Sequence, residues 1–217
     1  RVRIENASKP GPVRSAIVVR TDAEGVAPKS VFGSGFVVGL GQQPATVWLT
    51  GLSAAGKSTL ALALEEALIA AGRAACVLDG DNLRHGLCAD LGFSPADRTE
   101  NIRRVAEVAR LLCDAGVIVI TAFISPYRQD RARAREIIGA DRFLEGFVDA
   151  PLEVCADRDP KGLYRRAHAG ELAEFTGVTA PYEAPEAPDL RLDTALLPPA
   201  ALVERVLTAL RDRGFIR

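Results

Sequence analysis

The stretch ATVWLTGLSAAGKSTLALALEEAL, residues 45–68, decides the fold. Its first six residues form an uncharged, mostly apolar run ending at Gly51, as expected of a strand buried on both faces. Two glycines five positions apart follow, Gly51 and Gly56, and then Lys57, Ser58 and Thr59. Leu60, Leu64 and Leu68 recur every four residues, the spacing of one helical face, and the helix is expected to stop near Gly72. Strand, glycine loop and helix in this order fit the P-loop pattern G-x-x-x-x-G-K-[ST] in the context it requires. Glycines let backbone N–H groups turn onto phosphate oxygens, and the helix N-terminus adds a partial positive charge. Lys57 would reach the β- and γ-phosphates, and the Ser58 hydroxyl is placed to ligate Mg²⁺. Gly51, Leu52, Ser53, Ala54, Ala55, Gly56, Lys57, Ser58 and Thr59 are therefore the expected ATP-binding loop.

The alternation continues towards the C-terminus. AACVLD (74–79) reads as a second buried strand that ends in acid. Ser94-Pro95 opens a helix in which Ile102, Val105, Ala109 and Leu112 share a face, closing at Gly116. VIVITAF (117–123) and FLEGFVD (143–149) read as two further strands. Leu202, Val203, Val206 and Leu210 mark a terminal amphipathic helix after Pro198-Pro199. Strands separated by helices predict an α/β fold, a parallel sheet covered by helices on both faces, with ligands beyond the carboxyl ends of the strands. Residues 1–44 differ in texture, with short β-branched runs (AIVV, FVV) among Gly, Pro and Ser. They read as an N-terminal extension, linker or remnant of an upstream module, ahead of a P-loop domain over 45–217. The segment 158–188 carries Arg158, Lys161, Arg165 and Arg166 and then the Pro-rich APYEAPEAP, without core periodicity. A mobile basic lid over phosphates is favoured there over a solvated loop, because charge neutralisation and water exclusion both serve phosphoryl transfer.

Composition sets outer bounds. A chain of 217 residues with 48% hydrophobic and 25% charged residues suggests one domain with an ample core. Its net charge of −1 offers no global basic field for nucleic acid or an anionic membrane, so any anion site must be built locally. No apolar run approaches the roughly 18 residues of a membrane span. The first residues lack the apolar core of a signal peptide, and a chain that starts at Arg1 without any methionine reads as a fragment. Cys76, Cys88, Cys113 and Cys155 are widely spaced, and His85 and His168 are the only histidines, so no zinc site is expected. Cys76 and Cys113 read as small hydrophobes, and a reduced, cytoplasmic protein is the expectation.

The polar clusters narrow the chemistry. There is no NKxD-type guanine-reading motif, which weighs against a GTP switch, and little room for a motor's force-transmitting parts. The second strand ends in LDGDNLRHGL (78–87), which brings Asp79 and Asp81 to the sheet's carboxyl edge near the phosphates. Two acids so placed suit magnesium-water ligation and acceptance of a proton from an attacking hydroxyl. A DGD turn can also cap the next helix, a role that suits Asp79. Arg84 sits one helical turn past Asp81, and Arg98 and Asn101 share a face of the helix after Phe93. A ring, arginine forks and an amide are what an anionic nucleotide-like acceptor needs.

The set LDGDNLRHGL, LGFSPADRTENIRR, FISPYRQDR, DPKGLYRRA, FTGV and PYEAP, in that order between about Thr46 and Pro188, resembles the adenylylsulfate kinase family. The resemblance implies transfer of the γ-phosphoryl of MgATP to the 3′-hydroxyl of adenosine 5′-phosphosulfate in sulfate assimilation, giving PAPS and ADP. It implies Asp81 as the base, close to Mg²⁺ and the 3′-hydroxyl, so that Ser58 and Asp81 form the metal set. Arg84, Phe93, Arg98 and Asn101 match positions that hold adenylylsulfate, and Ile124 and Ser125 match further contacts. Ser125 matches a position described as a phosphoserine intermediate; direct transfer needs none, so a positioning role comes first. Lys161 and Phe175 would close over the acceptor, with Phe93 and Phe175 sandwiching its adenine, and Arg158 of the lid is assigned to ATP. Family members also occur as homodimers and as fusions to ATP sulfurylase.

Three departures from the family pattern stand out. Ala54 replaces a glycine and is expected to have negative φ. Cys88 replaces an asparagine, and His168 an arginine. Two rival readings remain: a P-loop kinase for a nucleoside monophosphate or sugar, and a non-catalytic domain regulating a fused sulfurylase. Intact Lys57, Ser58 and Asp81 argue against the latter.

Overall fold

The computed structural model describes residues 42–217 and the backbone of two strands ahead of them, β1 (Arg3–Ala7) and β2 (Ala16–Arg20). These two pair antiparallel, with Arg3 opposite Arg20 and Ala7 opposite Ala16, so the AIVV run is a strand, whereas FVV lies outside the described residues.

The body alternates strand and helix: β3 (Thr46–Thr50), α1 (Lys57–Ala70), β4 (Ala75–Asp79), α2 (Gly80–Arg84), α3 (Pro95–Asp114), β5 (Ile118–Ala122), α4 (Arg128–Ile138), β6 (Phe143–Asp149), α5 (Leu152–Arg158), α6 (Leu163–His168), β7 (Leu190–Asp193) and α7 (Pro199–Asp212). Five strands form one parallel sheet in the order β4-β5-β3-β6-β7. β3, which feeds the phosphate loop, is therefore central, and all its residues are buried.

Period-two side-chain alternation explains why these strands read as unbroken apolar runs. Val47, Leu49, Ile118, Ile120, Leu144 and Leu192 face one way and pack with Leu60, Leu64 and Leu68 of α1 and Leu202, Val206 and Leu210 of α7. Trp48, Val119 and Phe143 face the other way, against Ile102, Val105, Ala109 and Cys113 of α3 and Ala134 and Ile138 of α4. The expected face of α3 is thus the buried one, with Cys113 at its end and Leu112 only partly buried. Ser94 caps α3 by accepting from the Asp97 N–H at 3.2 Å, with Pro95 in the first turn, as the sequence predicts.

Gln42 is the first described residue of the body. Gln42 bridges to Ile216, and its carboxamide donates to the carbonyls of Ala74 (3.0 Å) and Gly116 (2.8 Å) and accepts from the Ala74 N–H (2.9 Å). That one side chain ties together the amino ends of β4 and β5.

The region 158–188, expected to be a basic lid, has packed parts. Tyr164, Ala167, Phe175 and Thr176 are buried, and the Pro-rich tail is docked against the body. The Glu183 N–H donates to the Pro126 carbonyl at 2.9 Å, Tyr182 stacks on Phe147, and Arg128 and Arg131 of α4 hold the carbonyls of Ala184 and Glu183. Among the described residues, no helix is long and apolar enough to cross a membrane.

Candidate active site

The phosphate loop is shaped by donors from the body that take up its carbonyls. Lys57 Nζ donates to the carbonyls of Gly51 (3.0 Å) and Leu52 (2.6 Å). The Tyr164 hydroxyl donates to Ser53 O at 3.0 Å, and the Thr194 hydroxyl to Ala55 O at 2.8 Å. The Ala55 N–H donates within the loop to the Leu52 carbonyl at 3.2 Å, and with the other carbonyls held by the body the remaining loop amides are the donors a phosphate would use. Gly51 is obligatory for contact as well as conformation: its φ is +151°, and a Cβ there would stand 2.4 Å from the Val148 carbonyl oxygen.

Ala54 corrects an expectation. Its φ is +58°, in the left-handed region, and not negative. The turn geometry that aims the loop's amides overrides the residue's own preference, and the methyl group carries the strain. Ala54→Gly is expected to stabilise the protein by about 0.5–1 kcal/mol, the left-handed penalty less the entropy of a freer unfolded chain. A melting temperature that fails to rise would show that the loop relieves the strain elsewhere.

Lys57 is 8% exposed. Burial lowers its pKa to about 8, with Cys155, Asp79 and Asp81 acting in the opposite direction and Lys161 adding to the fall. The depressed value means that the unfolded chain binds more protons than the folded one between pH 8 and 10.5, so unliganded stability contributed by this group rises with pH there. ATP binding has the opposite sign, because only the ammonium grips phosphate. Affinity is expected to fall by up to tenfold per unit above pH 8, with about half a proton taken up on binding at pH 8. Calorimetry in buffers of different ionisation heat measures that uptake, and zero uptake would detach Lys57 from the phosphates.

At the carboxyl edge, the two acids divide their roles. The Ser58 hydroxyl donates to Asp79 Oδ2 at 2.7 Å, and the other Asp79 oxygen accepts from the Asp81 N–H at 2.9 Å, capping α2. Asp79 is thus both cap and partner of the loop serine. Asp81 pairs instead with Lys161, and both side chains are more than half exposed. The acid hydrogen-bonded to Ser58 is Asp79, whereas Asp81, expected with Ser58 in the metal set, is paired with Lys161. A serine hydroxyl beside a carboxylate is a hard-oxygen donor pair of the kind that magnesium uses together with phosphates and water.

The remaining predicted residues lie on α2, α3 and α5 and in loops. Arg84 donates to the carbonyls of Leu91 (3.2 Å) and Gly92 (2.9 Å), and its guanidinium lies 4.2 Å over the Phe93 ring. Phe93 is 60% exposed, whereas Phe175 is 8% exposed and edge-on to Tyr164. Arg98 is buried, and its forks hold the carbonyls of Phe93 and Glu174 and the hydroxyl of Thr176. Both arginines, expected as oxyanion forks, have internal partners that fix the Phe93 loop and the 174–176 segment. Asn101 is buried beside them, and its Oδ1 has no protein partner. The Ile124 carbonyl accepts from the Thr50 hydroxyl at 2.7 Å. Ser125 is 2% exposed with φ +41°, and its hydroxyl accepts from the Trp48 indole at 3.2 Å, which suits positioning better than attack on a phosphate. Arg158 reaches the hydroxyl (3.1 Å) and carbonyl (2.8 Å) of Thr194 beside the loop. Cys88 is fully buried in the turn after α2, and His168 is exposed in the last turn of α6.

Sequence reasoning missed Thr194, Tyr164 and Arg131. Thr194 follows β7, so the carboxyl-end rule would have found it had that strand been seen. Arg131 is 3% exposed and holds Glu145 Oε1, Ser125 O and Glu183 O, each at 2.7 Å. An arginine in a run of arginines gives no sequence signal of burial.

Comparison with known proteins now bears on this geometry. The family model described as adenylylsulphate kinase matches residues 43–193. The adenylyl-sulfate kinase of Aeromonas salmonicida is 60% identical over 176 residues, 81% of this chain and 90% of that protein. The bifunctional enzyme NodQ of Rhizobium tropici is 59% identical over 172 residues, 79% of this chain but 27% of NodQ. Among solved structures, the Mycobacterium tuberculosis APS kinase CysC in complex with AMPPNP and APS superposes with a TM-score of 0.75 at 50% identity, covering 78% of this chain and 99% of that one. A P-loop on the central strand, acids at the carboxyl end of the edge strand β4 and these relatives together place the chain in the adenylylsulfate kinase family.

Proposed function

We propose that this chain is an adenylylsulfate kinase, which transfers the γ-phosphoryl of MgATP to the 3′-hydroxyl of adenosine 5′-phosphosulfate and releases PAPS and ADP. The observation that carries the reading is the pair Asp79 and Asp81, the first bound to Ser58 of the phosphate loop and the second to Lys161. Donor and acceptor would meet across those acids.

The residues act by positioning and charge. Loop amides and Lys57 hold the β- and γ-phosphates, for which Lys57 leaves the Gly51 and Leu52 carbonyls. Ser58 and Asp79 would hold Mg²⁺, which when bound supplies charge neutralisation at the phosphate oxygens. Asp81 takes the proton of the 3′-hydroxyl as its oxygen bonds to the γ-phosphorus and the β–γ bridging bond breaks, leaving ADP. Lys161, paired with Asp81 before the acceptor binds, is free to turn to an acceptor oxyanion. Arg84 and Arg98 hold the walls of the acceptor site, and Asn101 offers it an amide. Ser125 orients the acceptor through its neighbours on the loop after β5. A homodimer in the cytoplasm belongs to the same reading and rests on the family resemblance; sedimentation of the purified chain measures the assembly.

A coupled assay for ADP release tests the reaction with adenylylsulfate, AMP and gluconate as acceptors. Turnover with adenylylsulfate at least 100-fold above the others is expected from the site's charged and stacking contacts. Activity with AMP or gluconate alone would assign the chain to another small-molecule kinase.

A further inference from the structure

Tyr164 does more than fill the core. It lies on α6, three residues after Lys161, and is 2% exposed. Its hydroxyl donates to Ser53 O of the phosphate loop at 3.0 Å. Its ring stands edge-on to Phe175, with centroids 4.9 Å apart and planes at 88°. Burial, and then the neighbouring Cys155 thiol, push the phenol well above its ordinary pKa, so it stays a donor at working pH.

The Phe175 turn is itself one stiff piece. The N–H groups of Val178, Thr179 and Ala180 all donate to the Phe175 carbonyl, and the Thr179 hydroxyl accepts from the Phe175 N–H at 2.8 Å. Arg98 fastens this turn to α3 through Thr176 and Glu174. On the opposite side the turn sits directly on the phosphate loop. Gly177 has φ +90°, and a Cβ there would lie 2.9 Å from Leu52 Cδ2. Two contacts, Tyr164 on Ser53 and Gly177 on Leu52, therefore join the donor loop to the turn that carries the acceptor-side ring.

We propose that Tyr164 is a positioning residue that couples the two halves of the site, so that a nucleotide seated in the phosphate loop sets the Phe175 turn for an anionic nucleotide acceptor. This rests on the functional reading above. The physical basis is geometric: phosphate drawn into the loop fixes the Ser53 peptide, and Tyr164 passes that constraint to Phe175 through a rigid ring. The alternative is that Tyr164 only packs the core.

The test measures adenylylsulfate affinity by calorimetry with and without saturating ADP, in the wild type, Tyr164→Phe and Leu52→Ala. Tyr164→Phe keeps the ring on Phe175 and loses the bond to Ser53; Leu52→Ala loosens the second contact. In the wild type ADP is expected to tighten acceptor binding by about 5–150-fold, the usual range of site-to-site coupling. In Tyr164→Phe that ratio is expected to fall at least about fivefold, with the thermal transition still cooperative. Leu52→Ala is expected to reduce the ratio as well. A wild-type ratio near one, or an unchanged ratio in Tyr164→Phe, overturns the proposal. Failure of the wild type to bind or phosphorylate adenylylsulfate would instead strike the functional reading, a result seen before any variant is compared.

Discussion

Asp81→Asn is expected to lower turnover of adenylylsulfate by about 10²–10⁴-fold, the usual worth of a positioned general base, while ATP affinity changes by less than about threefold. The split follows from the division of labour at the carboxyl edge. Asp79, not Asp81, receives the Ser58 hydroxyl, and the bond from residue 81 to Asp79 comes from its backbone N–H, which asparagine keeps. The substitution therefore removes a proton acceptor and the partner of Lys161 without disturbing the loop. Asp79→Asn serves as the contrast. It weakens both the cap of α2 and the oxygen pair on Ser58, so its main effect should be a raised KM for MgATP. If Asp81→Asn turns over within a few-fold of wild type, Asp81 is not the base.

The second large effect concerns stability. Arg131→Ala is expected to cost about 3–5 kcal/mol, because it leaves the Glu145 carboxylate, 14% exposed, without its counter-charge in the interior. It also strips the donors from the carbonyls of Ser125 and Glu183. For a body of this size the melting temperature should fall by about 6–20 °C. Function should suffer too, since the same guanidinium anchors Ser125, held at φ +41°, and the tail beside Tyr182. Arg131→Lys should rescue little, for an ammonium cannot hold three oxygens set out for a planar fork. The double replacement Arg131→Leu with Glu145→Leu should recover much of the stability and little of the activity. A loss below about 1 kcal/mol in Arg131→Ala would mean that Glu145 finds water or another partner.

The parts legible in the sequence are those whose signal is periodic. The five-residue core of β3, the leucines of α1, the capped start of α3 and the terminal α7 all carry apolar spacing that only one structure satisfies. Other elements lack that spacing. α4 reads RQDRARAREII, with six of its eleven residues charged, and finds its buried face through Ala134, Ile138 and the paired Arg131. β7 is four residues long at the sheet edge, after a proline-rich run that reads as loop. α2, α5 and α6 are too short for a periodicity to show. At the site, Lys57, Ser58 and the DGD turn are visible because a motif fixes their neighbours. The hydrogen bond from Ser58 to Asp79 was not legible, because it depends on the direction of a single turn, and the expected metal set grouped Ser58 with Asp81. Ala54 misled for a related reason: propensity ranks residues, but the loop's amides set its backbone. Lys57, Arg98 and Tyr164 show the general limit, since their partners lie far away in sequence or are backbone atoms without a side-chain signature.

Gln42 has a consequence for how this body can be joined to others. It bridges to Ile216, and the Gln43 N–H donates to the Phe215 carbonyl at 2.7 Å, so the two ends of the body meet. They meet at the amino ends of β4 and β5, at the floor of the sheet, while the phosphate loop and the acids stand at its roof. A polypeptide attached before Gln42 or after Ile216 thus leaves from the side opposite the chemistry and need not cross the mouth of the site. The same closeness makes the body suited to circular permutation, with a short Gly/Ser bridge across the old ends and new ends opened elsewhere on the surface.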